Sequence, residues 1–322
     1  MSKIYGRGQT EQVLICEEQG DYGDIGTNTF LANGYHAGYD VELDPSGFDP
    51  NSFVKIYNDG SDSLAVKKFV KGTKKFGFTL KFKNYNWWFL KYSMFNQVTN
   101  VDQTTYFEHT WTPTKIIKAF QVEWLRRQDT NQIIQLKGCI IKNWRIVFNK
   151  STSDSDTGVN IELDCIAQDI EIIGSATTLA SPTKDPYKFY QAKLTYEGNE
   201  YAELNSGTIN ADQSINEDNS LYCNATFDGL IGEPIAVKQD YSLEVNVNQF
   251  DNTFLSDFVN GDELTGVTKL EFISDTHDSI TFLNSNAVLF SGLSATQQGV
   301  NNANVLITPK TLDITGEDNE QY

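Results

Sequence analysis

The chain repeats itself. Thr79-Leu80-Lys81-Phe82 is followed after six residues by Phe89-Leu90-Lys91-Tyr92-Ser93-Met94, and Ser242-Leu243-Glu244-Val245 is followed after eight by Phe254-Leu255-Ser256-Asp257-Phe258-Val259. Gln121-Val122-Glu123-Trp124-Leu125 returns as Lys269-Leu270-Glu271-Phe272-Ile273, and Asn160-Ile161-Glu162-Leu163 as Asn304-Val305-Leu306-Ile307, in the same order. A unit of roughly 150 residues is too long for a solenoid repeat, so the pattern predicts tandem copies that each fold around a core of their own. A length of 322 residues fits two such domains.

The local patterns are those of strands. Apolar or alternating β-favouring runs occur at 76–82, 120–125, 133–136, 139–148, 159–166, 192–196, 241–247, 270–273, 280–283, 287–290 and 304–307. Between them stand turn residues, as at Asn58-Asp59-Gly60, Glu197-Gly198-Asn199 and Asn260-Gly261-Asp262. Each copy holds one short helical stretch, Asn86 to Met94 and Phe254 to Val259. The second is preceded by the N-capping side chains of Asp251-Asn252-Thr253 and followed by Gly261. The resulting expectation is a mainly β chain with an N-terminal arm (1–40), a first domain (41–175), a linker carrying Pro182 and Pro186 (176–188), a second domain (189–315) and a C-terminal tail (316–322).

Charge separates the copies. Residues 1–182 hold 19 basic and 21 acidic side chains, a net of −2, whereas residues 183–322 hold 6 and 22, a net of −16. An acidic second half repels phosphate backbones and argues against ordinary nucleic-acid binding. No apolar run reaches the length of a membrane helix, and residues 1–11 lack the apolar stretch of a signal peptide, so a cytoplasmically made chain with no membrane partner is expected.

Catalytic and metal motifs are missing from the sequence. Cys16, Cys139, Cys165 and Cys223 are widely spaced, with no CxxC pair, and the three histidines (His36, His109, His277) make no ligand spacing. No GxSxG, HExxH, P-loop or dinucleotide fingerprint occurs, so the chain reads as a non-enzyme without cofactor. Asp154 to Glu162 places oxygen ligands at alternate positions but departs from a calcium loop, and reads as a hairpin turn.

Two features suggest surfaces. Lys67, Lys68, Lys71, Lys74 and Lys75 open a basic run that continues through Lys91 with interleaved aromatics. Phe76, Phe78, Leu80 and Phe82 alternate strictly, which favours a strand with aromatic inner and lysine outer faces over a nucleic-acid surface. The run could also meet the acidic half of another copy. Trp87 and Trp88 are adjacent, so the expectation is that they do not both face one core and that one meets a partner subunit. An exposed Trp87, Trp88 or Trp111 would instead serve a second reading, a two-domain β-sandwich that binds carbohydrate.

The opening Tyr5-Gly6 to Gly26-Thr27 with Glu17-Glu18 and Asp21-Tyr22-Gly23, the phrase Leu136-Lys137-Gly138-Cys139-Ile140-Ile141, the strand from Gly158 to Ile166 and a second copy after a proline-bearing linker resemble two-domain tail tube proteins of tailed viruses. The resemblance implies β-sandwich or barrel-like tube domains, each with a flanking helix. It further implies inner sheets that join between neighbours around a channel, and three chains making a pseudo-hexameric ring. Rings would stack into the tail of the virion. The partners implied are the chain itself, tape measure, tail terminator and distal tail proteins, and viral DNA that passes without specific binding.

Overall fold

The computed structural model describes residues 11–49, 53–56, 68–71, 75–115, 117–126, 132–150, 158–201, 204–216, 235–236, 238–247, 256–257, 259–261, 263–290 and 303–319. In the first half run β1 (Glu11–Glu17), α1 (Phe30–Asn33), β2 (Tyr35–His36), β3 (Tyr39–Asp49), β4 (Phe53–Ile56), β5 (Lys68–Lys71), β6 (Lys75–Lys83), β7 (Gln97–Asp102), β8 (Phe107–Thr112), β9 (Phe120–Arg126), β10 (Gln132–Asn149), β11 (Asn160–Ala167) and β12 (Asp169–Ile173). The second half continues with β13 (Ala192–Tyr196), β14 (Asn199–Tyr201), β15 (Leu204–Asp212), β16 (Ile215–Asn216), β17 (Ile235–Ala236), β18 (Asp240–Val247), β19 (Lys269–Asp275), β20 (Asp278–Ser285), β21 (Val288–Phe290), β22 (Ala303–Thr308) and β23 (Thr311–Asp318). The chain is mainly β, as the sequence predicts, and the strand pairs described are antiparallel.

β10 organises the first half. The sequence reads it as two strands, but it runs unbroken for 18 residues with Gly138 at φ +61° where the register shifts. A left-handed residue inside a strand is a glycine position, and it lets one strand serve two sheets. Before Gly138, β10 pairs with β9 and β12. Beyond it, after one last pairing of Cys139 with Phe120 of β9, β10 pairs with β11 and β15. Two wings result, β2-β1-β9-β10-β12 and β3-β6-β11-β10-β15-β18-β22-β21, the second crossing from one half into the other. A separate seven-stranded sheet runs β14-β13-β19-β20-β23-β8-β7.

The strand registers explain the sequence echo. Leu80 stands opposite Leu163 and Phe82 opposite Ile161 in the first half, while Leu243 stands opposite Ile307 and Val245 opposite Val305 in the second. Trp124 lies between Val13 and Ile134, just as Phe272 lies between Ala192 and Ile280. The outer strands match as well, with Leu136 facing Ile170 and Phe282 facing Ile314. So β3-β6-β11 with the far end of β10 corresponds to β15-β18-β22-β21, and β1-β9-β10-β12 corresponds to β13-β19-β20-β23.

Three expectations need correction. The main hydrophobic cluster is shared, because it takes Trp88, Phe120 and Leu163 from the first half together with Leu243, Phe272 and Ile307 from the second. Residues 11–17 of the expected arm form β1, whose Val13, Leu14, Ile15 and Cys16 are buried between β2 and β9. Gly316 to Asp318 of the expected tail belong to β23, with Asp318 buried. The first helical stretch is a 3-10 turn at Trp88–Tyr92, and in the second the helical residues described are 256, 257, 259 and 260. Gly261 closes it at φ +66°, its N–H donating to Asp257 O, and the N-capping residues 251–253 lie outside the described residues.

Candidate assembly interface

The joint between the halves is a strand pair, β10 against β15. Ile146 faces Ile209, Trp144 faces Ala211, and Phe148 faces Gly207. The pairing is packed from both sides of the sequence, since Trp144 contacts Phe89, Phe95 and Phe282, and Phe148 contacts Phe272. Gly207 allows the close approach of the Phe148 ring. The joint therefore unites the far end of one four-strand unit with the first strand of the next.

Its counterparts at the ends of the same wing are open. β21 corresponds to the far end of β10 and β3 corresponds to β15; among the described residues β21 pairs with β22 and β3 with β6 only on that wing. A strand paired on one side only among the described residues is a template for strand addition.

Polar clasps lock the rest in place. Glu123, buried on β9, accepts from Thr177 N (2.6 Å) and Thr177 Oγ1 (2.8 Å), while Gln12 Nε2 donates to Thr177 O (3.2 Å). The segment after β12 is irregular and is anchored by these bonds. At its far end Lys184 and Tyr187 both donate to Asp278 Oδ1. Burial first, and then the Asp278 carboxylate, hold the Tyr187 phenol well above its ordinary pKa. Glu18 receives N–H groups from Gly23 and Gly138. Its pKa is nonetheless raised, because burial outweighs those hydrogen bonds.

The residues singled out in the sequence part company here. Trp87 and Trp88 are both buried, at 1% and 2% exposure, which corrects the expectation that one would face a partner. Their turn is sandwiched: Trp87 packs on Tyr187, Phe272 and Phe282, and Trp88 on Tyr35, Phe82 and Phe120. Trp111 is buried too, so none of the three offers a sugar platform. Lys67 and Lys74 lie outside the described residues. Lys68 and Lys71 fall in β5 and Lys75 opens β6, with their side chains outside what is described. Farther along the run, Lys81 pairs with Glu162 (2.7 Å), Lys83 with Asp40 (2.7 Å) and Lys91 with Glu17 (2.9 Å). Lys81 and Lys83 lie on the strand whose Phe76, Phe78, Leu80 and Phe82 are buried, and Lys91 lies in the 3-10 turn that follows.

Among the described residues no three His, Cys, Asp or Glu side chains converge as metal ligands, and residues 151–157 of the calcium-like turn are outside them. An open cleft of about 510 Å³ beside β14 is lined by Lys150, Tyr190, Lys193, Glu200 and Tyr201, with Lys193 and Glu200 paired at 2.9 Å. No protein-family model matches the chain, and no curated protein matches it.

Proposed function

We propose that the chain is the structural subunit of a viral tail tube, without catalytic activity, assembling as stacked rings around a channel for genome delivery. One observation carries this reading: the halves are joined by β10 and β15, while among the described residues the corresponding strands β21 and β3 have no second partner at the two ends of the same wing. A joint that links unit one to unit two within a chain can link unit two to unit one of the next chain. Such head-to-tail contacts close into a ring when the rotation allows it. With two units per chain, three chains supply six such joints, and every β3 and β21 edge is paired.

The charge supports a conduit. A net of −18, concentrated in the second half, repels DNA phosphates and favours passage without adhesion wherever those carboxylates face the channel. Within that reading the partners are other copies and the neighbouring tail components, and the place of action is the virion. The sugar-binding alternative loses the tryptophans it relied on, because all three are buried.

Negative-stain microscopy and analytical ultracentrifugation of the purified chain test the proposal. Rings or hollow tubes, with a trimer as the smallest closed species, are the expected result. A protein that stays monomeric across the accessible concentration range overturns it.

A further inference from the structure

The second joint between the halves involves a different pair of edges. The β7–β8 ribbon, which belongs to the first half, lies on the last strand of the second half, with Trp111 opposite Ile314 and His109 opposite Gly316. The half that contributes β10 to the main joint therefore covers β23 of the half that contributes β15. The counterpart of β23 in the first half is β12, by the matching pairs Leu136 with Ile170 and Phe282 with Ile314. Among the described residues β12 pairs with β10 alone. Its Ile172 is 82% exposed.

In a closed ring the unit that precedes β3 is the second half of the neighbouring chain. There the stretch corresponding to the ribbon is the connection from β18 to β19, 21 residues against the 36 between β6 and β9. The shorter connection bares Val259 (71% exposed) and Val267 (50% exposed). We propose that the β12 edge of one copy seats against this connection of the next, Ile172 meeting Val259 and Val267; the inference rests on the ring reading. Among its described residues this connection holds no strand, so the contact is one of side chains. Glu171, next to Ile172, is already matched by Lys137, so the neighbour meets an apolar strip rather than an uncompensated carboxylate. One contact would thus cover three of the large apolar side chains that the described residues expose.

The test is cysteine cross-linking between differently labelled full-length chains in a Cys223→Ser background, where Cys16, Cys139 and Cys165 are buried. Ile172→Cys protein is mixed with Val259→Cys or Val267→Cys protein, assembled and oxidised. Leu31→Cys, exposed elsewhere on the first half, serves as the control. The expected result is a mixed dimer at least about tenfold more abundant than with Leu31→Cys. Rings without that excess overturn the contact and leave the tube reading standing. The absence of rings from the unmutated protein overturns both.

Discussion

His109 and Asp318 form a buried pair across 209 residues of sequence, with Nε2 lying 3.0 Å from Oδ1 and Nδ1 of the same ring 2.7 Å from Asn100 Oδ1. The pair fastens the last strand to β8 at a point that the sequence reads as a C-terminal tail. Removing one member strands a polar group inside the protein, so Asp318→Ala should cost about 3 kcal/mol. A chain truncated after Gly316 should lose at least as much, because it also loses the β23 pairings of Glu317 with Glu108 and Asp318 with Phe107. Urea unfolding followed by tryptophan fluorescence should show a lowered midpoint at unchanged slope. An unaltered midpoint would mean that the strand end is not fastened by this pair.

The hold of Glu123 on Thr177 makes a second claim. Thr177→Val preserves shape but removes one donor from a buried carboxylate, and a hydrogen bond to a charged group is worth about 1.5–3 kcal/mol. Loss of about 2 kcal/mol, with faster proteolysis between 174 and 186, is expected. Glu123→Gln should be milder in proteolysis, because its amide oxygen can still accept from Thr177 N. Equal cleavage rates in Thr177→Val and the unmutated chain would count against an anchored linker.

Much of the fold was readable in the residues, and the misses have physical causes. Strict alternation placed Phe76, Phe78, Leu80 and Phe82 inside because a strand turns its side chains with period two. The echo of Thr79–Phe82 in Ser242–Val245 corresponds to identical strand registers. The run Val13-Leu14-Ile15-Cys16 carried the signal of a buried strand, but its polar, glycine-rich surroundings hid it. Trp87 and Trp88 do point to different sides, yet both sides are interior, because the turn lies between contributions from the two halves. Pairing across the halves, as in β10 with β15 or His109 with Asp318, has no local signature at all.

The cysteines give a pH prediction with a definite sign. Burial, reinforced by the Glu17 and Glu18 carboxylates, pushes the Cys16 thiol up to about 11, and burial raises Cys139 and Cys165 well above the ordinary range. A folded pKa above the unfolded one gives stability that is complete below the unfolded value, about 8.5, and fades as pH rises through the folded value. The native chain should therefore lose stability from about pH 9 towards pH 11. At pH 8 these three thiols should resist a thiol-directed reagent until denaturant is added, because the thiolate is the reactive form. Rapid labelling of Cys16 in the folded chain at pH 8, located by peptide mapping, would refute the burial argument.

The joint between the halves can be probed where its packing is tightest. A Cβ placed on Gly207 would lie 2.2 Å from Phe148 Cζ, directly across the β10–β15 pair. Gly207→Ala should therefore cost about 1–3 kcal/mol through overpacking. Phe148→Leu alone should also destabilise, since the ring packs on Phe189 and Phe272. Combined, the two changes should cost less than their sum, with a coupling of about 0.5–3 kcal/mol, because the smaller side chain makes room for the methyl group. Additive losses in the double-mutant cycle would place Phe148 away from Gly207 and would remove the close contact that defines this joint.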